Sequence, residues 1–139
     1  MTILDTNVVA ELMRPTPEPE VLRWFSSQSS EDLHITAITM AEILHGIEVI
    51  PAGRRRDAIR AGAEKMFAVV FAEHILTFED RAARVFSQIA SSRRRQGKPM
   101  SGVDAQVAAI SRVHSAILAT RNPYVFEGCG VRLVNPWEG

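Results

Sequence analysis

The sequence has few of the features that mark secreted, membrane-bound and zinc-thiolate proteins. Its 139 residues include a single cysteine, Cys129, which excludes an internal disulfide and a zinc site built from cysteines. The longest apolar run, Met66–Ala72, is far too short to cross a bilayer. The N-terminus has neither a basic start nor a long apolar stretch, so we expect no signal peptide and a cytoplasmic location.

Glycine-rich phosphate loops and the serine-nucleophile signature are also missing. None of the patterns GxxxxGK[ST], GxGxxG and GxSxG occurs in the chain. The net charge is zero, because sixteen basic side chains balance sixteen acidic ones. This balance argues against strong, non-specific binding to nucleic acid.

Short apolar segments alternate with helical segments along the whole chain. The predicted strands are Thr2–Leu4, Leu33–Ile35, His74–Phe78, Ser115–Thr120 and Val131–Val134. The predicted helices are Asn7–Arg14 with Thr6 as its N-cap, Glu18–Ser27, Thr36–Ile50, Arg54–Ala72, Glu79–Gln96 and Val103–His114. This alternation predicts an α/β fold whose parallel sheet is covered by helices on both faces. We expect residues 1–139 to form one domain.

Polar side chains fall where parallel strands end. Asp5 closes the first predicted strand, and Asn122 follows the fourth. Asp104 lies at the start of the helix that leads into the fourth strand, and Glu42 lies in the second turn of the helix after the second strand. All four are therefore expected near the carboxyl edge of the sheet, where open α/β sheets bind ligands. Three converging acids repel one another unless a cation lies between them, and oxygen ligands suit Mg²⁺ or Mn²⁺.

Each of these acids has another interpretation when it is taken alone. Asp5 could cap the first helix, Asp104 could interact with a helix dipole, and Glu42 could pair with an arginine. Only their joint placement favours a metal site. The histidines are expected to be structural, because His34, His74 and His114 lie near the opposite edge and His45 faces away from the acids. An acid–base mechanism that uses two histidines is therefore not expected.

Four segments of the chain resemble the motifs of PIN-domain proteins. They are Ile3–Asn7 (ILDTN), Ala41–Ile43 (AEI) followed by Gly46, Asp104–Ala108 (DAQVA) and Leu118–Asn122 (LATRN). The closing segment, from Phe126–Gly128 to Pro136 and Trp137, is similar to the VapC toxins and especially to their FitB-like branch. The motifs occur in the family's order over the whole chain. The resemblance implies a PIN-like three-layer α/β/α sandwich with a mainly parallel sheet of four to five strands.

The resemblance also implies a function and a set of site residues. It implies a Mg²⁺- or Mn²⁺-dependent endoribonuclease toxin of a type II toxin–antitoxin pair that cleaves structured RNA such as tRNA or rRNA. Asp5, Glu42 and Asp104 match the family's three acids and would bind the metal, and Thr6 matches a supporting hydroxyl. Asn122 falls at a fourth catalytic position that is acidic in the family. Its amide adds no charge there, so a second metal is not implied.

Several cations are candidates for contacts with RNA phosphates. They are Arg93, Arg94, Arg95 and Lys98, which precede the Asp104 helix, and Arg121, which is next to Asn122. The first group could equally be a solvated face, and Arg121 could pair with Glu127 or with a site carboxylate. The other arginine triplet, Arg54–Arg56, could also contact phosphates, but a solvated face is the favoured interpretation for it.

The resemblance further implies partners. We expect a toxin homodimer bound to a VapB-like antitoxin, whose tail blocks the site from a groove lined by the early helices. A larger toxin–antitoxin assembly is compatible with this, DNA would be contacted only through the antitoxin, and no membrane partner is expected. Two other functions stay open from the sequence. One is a weakened nuclease that binds RNA and acts by occlusion, and the other is a regulatory α/β domain that binds a small molecule.

Overall fold

A computed structural model, which describes residues 1–139, contains one parallel sheet of five strands. The strands are β1 (Thr2–Leu4), β2 (Leu33–Thr36), β3 (Ile75–Leu76), β4 (Ile117–Ala119) and β5 (Arg132–Val134). Their order across the sheet is β3-β2-β1-β4-β5, and every neighbouring pair is parallel. The first strand of the chain is therefore the central strand of the sheet, and the residue that follows it lies in the middle of the carboxyl edge.

Six α-helices cover the sheet. They are α1 (Thr6–Leu12), α2 (Pro19–Ser27), α3 (Ala37–Glu48), α4 (Arg54–Lys65), α5 (Asp80–Arg95) and α6 (Gly102–Val113). None of them is long and apolar enough to cross a membrane. Alternate residues of a strand point to opposite faces of a sheet, and β1 shows the consequence. Leu4 packs in one core cluster with Val8 and Phe67, whereas Ile3 packs in the other with Ile110. The predicted α/β/α layering is thus confirmed.

Several element boundaries differ from the prediction. The first helix begins at Thr6 rather than Asn7, because Asp5 and not Thr6 is its N-cap. The predicted helix Arg54–Ala72 is α-helical only to Lys65 and continues as a π-helix over Met66–Val70, in which Phe71 N–H reaches back to Met66 O. The strand β3 covers only two of the five residues predicted for it. Short 3₁₀-helices at Ser30–Asp32 and Pro123–Phe126 were not predicted, because a single turn has no hydrophobic period to detect.

Arg93 is a buried cation that joins loops beside the carboxyl edge. Its Nε donates to Lys98 O at 2.8 Å, and its Nη1 donates to Val125 O at 2.8 Å and to Glu127 O at 3.2 Å. The side chain is 8% exposed and forms no salt bridge. The expectation that Arg93 contacts RNA is therefore wrong, because its guanidinium is directed inward. It instead connects the end of α5 with the loop before α6 and with the segment after β4.

Two histidines form a stacked pair, His34 within β2 and His74 directly before β3. The rings of His34 and His74 lie 4.2 Å apart and 4° from parallel, and each Nδ1 is within hydrogen-bond distance of a backbone carbonyl, Asp32 O for His34 and Leu33 O for His74. Burial lowers the pKa of the His34 imidazole, and the charge of His74 adds to this effect. Both rings therefore belong to the framework of the fold, in agreement with the structural role predicted for them.

Loss of the Arg93 guanidinium is expected to destabilise the fold. Arg93→Met should lower the free energy of unfolding by about 3 kcal/mol, because buried backbone carbonyls lose their donors. The matched control is Arg94→Met, which removes an exposed arginine from the same helical turn and should change stability by less than about 0.5 kcal/mol. Urea denaturation measures both values. Equal effects in the two variants would contradict the structural role of Arg93.

The His34 pair predicts how stability depends on pH. The pKa of His34 is lower in the folded state than its ordinary value of 6.5, so the unfolded chain binds more protons once the pH falls below that value. Stability is therefore expected to fall as the pH decreases from neutral through about 6.5. His34→Gln should flatten this profile, whereas the exposed control His114→Gln should leave it unchanged. Denaturation series at several pH values test this, and a wild-type stability that is independent of pH over this range would contradict it.

Candidate active site

Asp5 is the residue around which the carboxyl edge is organised. Its backbone N–H donates to Ala119 O at 2.9 Å, which continues the pairing of β1 with β4 by one residue. Its Oδ1 accepts the Thr6 N–H at 2.9 Å and so caps α1, and its Oδ2 accepts the Thr120 hydroxyl at 2.8 Å. The side chain is only 8% exposed. Both oxygens are thereby fixed in place, and the capping role and a place in the site are not alternatives.

Glu42 reaches the same region from α3. The Thr6 hydroxyl lies 2.5 Å from Glu42 Oε1 and 3.0 Å from Thr39 Oγ1. A hydroxyl has one proton, and a carboxylate is the stronger acceptor, so Thr6 donates to Glu42 and accepts from Thr39. Thr6 follows Asp5 directly, and it therefore links the two carboxylates. Glu42 forms no salt bridge, so it does not pair with an arginine as one interpretation proposed.

Asp104 is presented by the first turn of α6. Ser101 is the N-cap of this helix, and its hydroxyl accepts the Asp104 N–H at 3.1 Å. The Asp104 carboxylate is half-buried, has no hydrogen-bond partner and forms no salt bridge. Its position at a helix N-terminus stabilises the negative charge. The loop before Ser101 is the one that Arg93 holds, so a buried contact supports the position of this acid.

Asn122 lies beyond the end of β4, at the start of the short 3₁₀-helix. Its N–H donates to the Thr120 hydroxyl oxygen at 3.2 Å, and its side-chain oxygen accepts the Tyr124 hydroxyl at 3.4 Å. Thr120 therefore contacts both Asp5 and the backbone of Asn122. This connects the predicted fourth position to the buried acid, although the Asn122 side chain itself faces an exposed tyrosine.

The charges of the three acids act together at Asp5. Burial raises the pKa of the Asp5 carboxyl above its ordinary value, and the negative charges of Asp104 and Glu42 raise it further. The hydrogen bonds from Thr120 and Thr6 oppose this rise without cancelling it. None of the three acids has a basic partner within salt-bridge distance. The carboxyl edge is thus a region of negative charge that no side chain of the protein neutralises.

The donor atoms of the site are of the kind that a hard divalent cation prefers, but in the structure the three acids are too far apart to bind one ion together. The site offers carboxylate and hydroxyl oxygens and no histidine or cysteine, which is the donor set that Mg²⁺ and Mn²⁺ prefer. However, no three side chains of His, Cys, Asp or Glu are close enough together to hold one ion among them. A three-carboxylate metal centre therefore stays a prediction, with Asp5 and Asp104 as the acids whose positions are best supported by neighbouring contacts.

The remaining candidate cations differ in their surroundings. Arg94, Arg95 and Lys98 are exposed and form no salt bridge. These surroundings are compatible both with a solvated face and with contacts to RNA. Arg121 is exposed too, but its Cζ lies 4.9 Å from the centre of the Trp137 ring. It pairs neither with Glu127 nor with a site carboxylate, so that interpretation is wrong.

Three polar residues at this edge were not anticipated from the sequence. Thr120 donates to the Asp5 carboxylate, and Thr39 contacts the Thr6 hydroxyl. Asn7 Oδ1 accepts the Arg121 N–H at 3.2 Å. Thr120 could have been found by its position, since it directly follows a strand that ends beside Asp5. Thr39 could not, because only the packing of α3 against α1 brings it to Thr6.

An apolar groove lies at the C-terminal end of α1. It has a volume of about 530 Å³ and is formed by α1, α2, α4 and the π-helical turn. Nine of its ten lining residues are hydrophobic, among them Leu12, Phe25 and Ile59. Such an apolar concavity is typical of a protein-binding surface. It is separate from the acids, which line the carboxyl edge.

The chain was compared with known proteins and structures. The family model described as PIN domain matches residues 2–127. The plasmid stability protein StbB of Pseudomonas syringae is 36% identical over 138 residues, and the toxin FitB of Neisseria gonorrhoeae is 34% identical over 138 residues. Each of these alignments covers 99% of both chains. A VapC ribonuclease of Sinorhizobium fredii, Y4jK, is 35% identical over the same extent.

A solved structure agrees with these relatives. The crystal structure of FitAcB from Neisseria gonorrhoeae superposes with a TM-score of 0.94 at 34% identity and covers 100% of each chain. This confirms the three-layer fold predicted from the sequence. The family model covers most of the chain, and three relatives exceed 30% identity over almost its whole length. The chain therefore belongs to the PIN-domain family, in the group of the VapC and FitB toxins.

Proposed function

We propose that this protein is a cytoplasmic endoribonuclease toxin that hydrolyses phosphodiester bonds of structured RNA at the carboxyl edge of its sheet. The observation that carries the proposal is that two further acids, Glu42 and Asp104, act on the buried Asp5 and that none of the three has a basic partner. Unpaired charges of one sign are costly to bring together, and a bound cation would offset this cost. The relatives named as ribonucleases and toxins support this assignment.

We assign the cation as Mg²⁺, with Mn²⁺ as its substitute. Asp5 and Asp104 would hold it directly or through water, and Glu42 would hold one of its waters. When bound, the ion would lower the pKa of a water molecule and neutralise the negative charge that develops on the phosphate. Only oxygen donors surround this position, which supports a hard ion over zinc.

The residues of the chain then have separate tasks in hydrolysis. Asp5 presents oxygens in a fixed direction, because Thr6 and Thr120 already hydrogen-bond to them. Glu42 accepts a hydrogen bond from the Thr6 hydroxyl and is exposed. Its carboxylate can therefore also accept a proton from an attacking water. Asn122 orients a water or the substrate through its amide and adds no charge. This division agrees with one metal ion rather than two.

Exposed cations near the edge are proposed to bind the RNA backbone. They are Arg94, Arg95, Lys98 and Arg121; Arg93 is removed from this set because it is buried. Phosphates are bound by Lys and Arg whatever the base sequence, so these contacts set affinity and position. The choice of tRNA or rRNA depends on RNA shape, which a short list of cations does not determine.

We further propose that the apolar groove binds a helix of a VapB-like antitoxin. Its hydrophobic lining, which comes from the end of α1, from α2 and from α4, suits the apolar face of an amphipathic helix. The structure of FitAB bound to a DNA fragment is 34% identical to this chain with a TM-score of 0.92, which makes a related pair the natural model. In this proposal the toxin forms a homodimer, larger toxin–antitoxin assemblies build on it, and DNA is contacted by the antitoxin alone.

Asn122 is the observation that favours a second candidate function. A weakened toxin could bind RNA through the same cations and act by occlusion without cutting it. A regulatory domain that binds a small molecule has no comparable support. The chain has no glycine-rich phosphate loop, so a ligand at this edge would meet only the acids. RNA that is bound and never cleaved at any divalent metal concentration would favour occlusion over hydrolysis.

Amide substitutions test the catalytic assignment. Asp5→Asn and Asp104→Asn should each lower the rate of RNA cleavage at least about a hundredfold, because each removes a charged ligand. The amide oxygen that Asp5→Asn introduces can still cap α1, so the thermal midpoint should stay near that of the wild type. EDTA should abolish wild-type cleavage, and Mn²⁺ should restore it. The matched control Asp57→Asn removes an exposed acid from α4 and should cleave like the wild type.

Metal binding gives the same assignment a readout without catalysis. Calorimetric titration with Mn²⁺ should show one site in the wild type and clearly weaker binding in Asp5→Asn and Asp104→Asn. Unchanged Mn²⁺ affinity in both variants, or wild-type cleavage that survives EDTA, would contradict the assignment.

A glycine in the groove allows the antitoxin proposal to be tested without harming the fold. Gly62 and Gly46 are both helical, and a Cβ at either would meet nothing within 4 Å. Leucine at either position should raise the free energy of unfolding by about 0.5–1 kcal/mol. Only Gly62 lines the groove, so only Gly62→Leu should fill it.

The measurement is the antitoxin concentration that halves the RNA cleavage rate. Gly62→Leu should raise it about tenfold, because the leucine occupies space that an antitoxin side chain needs. Gly46→Leu is the matched control and should require the wild-type concentration. Indistinguishable titrations of the two variants would show that the antitoxin binds elsewhere.

A further inference from the structure

Arg121 occupies an unusual position at the carboxyl edge. It directly follows Thr120, whose hydroxyl donates to Asp5, so its backbone lies next to the proposed reaction centre. Its N–H donates to Asn7 Oδ1 at 3.2 Å, and its carbonyl accepts from Asn135 Nδ2 at 3.4 Å. The backbone of this exposed residue is thus held on both sides by asparagine side chains.

The Arg121 side chain is held by an aromatic ring instead of an acid. Its Cζ lies over the Trp137 ring, 4.9 Å from the ring centre. No hydrogen bond and no salt bridge engages its guanidinium. A cation over a ring uses the face of the guanidinium, whereas hydrogen bonds to a phosphate use its N–H edge. The N–H groups of the Arg121 guanidinium have no acceptor in the protein, so they are free to donate to a phosphate.

Trp137 is itself well supported. The chain leaves β5 through Asn135, whose Oδ1 accepts the Trp137 N–H at 2.9 Å, and this turn brings the indole back toward β4. The ring packs against the core cluster that contains Leu4 and Val8. The strand order places β5 beside β4 and β4 beside β1, so Trp137, Arg121 and Asp5 follow three adjacent strands. The ring therefore lies beside the carboxyl edge and is packed against the core.

We propose that Arg121, stacked on Trp137, binds an RNA phosphate next to the one that is cleaved, and that Trp137 is a positioning residue that holds the guanidinium for this contact. The proposal rests on the proposed ribonuclease function. Arg94, Arg95 and Lys98 have no comparable support, so they contribute general attraction, whereas Arg121 is preorganised. A preorganised guanidinium loses less conformational freedom when it binds phosphate, which increases affinity.

RNA binding without cleavage tests the contact. The probe is a fluorescein-labelled RNA hairpin in buffer with EDTA, and its fluorescence anisotropy gives the Kd at several salt concentrations. Arg121→Gln should raise the Kd about tenfold and reduce the slope of log K against log salt by about one. The matched control is Arg84→Gln, which removes an exposed arginine from the first half of α5, toward the other end of the helix from Arg94 and Arg95, and in no proposed contact. It should change the Kd by less than about twofold.

Two substitutions separate positioning by Trp137 from a merely structural role. Trp137→Leu removes the aromatic face and should raise the Kd about fivefold, whereas Trp137→Phe keeps a face and should stay within about twofold of the wild type. In the Arg121→Gln background, Trp137→Leu should have no further effect, because the cation that it positions is gone. In the Mn²⁺-dependent cleavage assay Arg121→Gln should raise KM and leave kcat nearly unchanged.

The outcomes distinguish this contact from the proposed function. If the wild type cleaves RNA while Arg121→Gln binds like Arg84→Gln, or if Trp137→Leu weakens binding equally in both backgrounds, the contact is overturned and the ribonuclease function stands. If RNA binding depends on Arg121 as described but no cleavage occurs, hydrolysis fails and the contact stands. A wild type that neither binds nor cleaves RNA overturns both.

Discussion

The burial of one carboxylate, that of Asp5, is the constraint on which the carboxyl edge depends. The residue ends the central strand, caps α1 and accepts the Thr120 hydroxyl, so three elements meet at one side chain. Burial of a charged group is unfavourable unless partners compensate, and here the partners are an N–H and a hydroxyl rather than a cation. The fold therefore keeps Asp5 oriented but electrostatically unsatisfied. A buried acid without a compensating cation lowers the stability of the fold, but its oxygens are oriented to bind a positively charged ligand.

The other parts of the site are arranged to support this one residue. Thr6 connects it to Glu42, and Ser101 together with Arg93 fixes the approach of Asp104. The supporting contacts are short polar links between neighbouring elements, and they do not neutralise charge. Removal of Arg93 would therefore act on the site through the position of its loops, whereas removal of an acid acts on its chemistry. The two kinds of substitution are separable by stability and metal affinity.

The layers of the fold could be predicted from the sequence, and the acids stay a predicted site, but the local contacts could not be predicted. The alternation of strands and helices determines a parallel sheet, and a parallel sheet brings the residues after its strands to one edge. That logic predicts Asp5, Glu42 and Asp104 at one edge, and in the structure the charges of Glu42 and Asp104 raise the pKa of Asp5. The strand order does not follow from it, because any crossover of suitable length is compatible with the same pattern.

The wrong prediction for Arg93 and the missed contact of Trp137 both have a physical cause in long-range contacts. Arg93 is the first of three consecutive arginines, and helical spacing alone does not tell which of them faces the interior. It is buried because backbone carbonyls of a distant segment, after β4, face it across the end of α5. Trp137 was not expected to contact Arg121, because the contact depends on β5 lying next to β4. Long-range pairings decide both cases, and one sequence does not show them.

The zero net charge finally has a spatial explanation. Three acids without basic partners lie toward the carboxyl edge, and the exposed cations Arg94, Arg95, Lys98 and Arg121 belong to segments that adjoin it. One arginine of the set, Arg93, is withdrawn into the interior, so fewer cations face solvent than the sequence suggests. RNA that approaches such a surface meets attraction at the rim and repulsion at the centre. A divalent cation at Asp5 would reverse the central repulsion, so loading of the metal and productive placement of the phosphate would be coupled events.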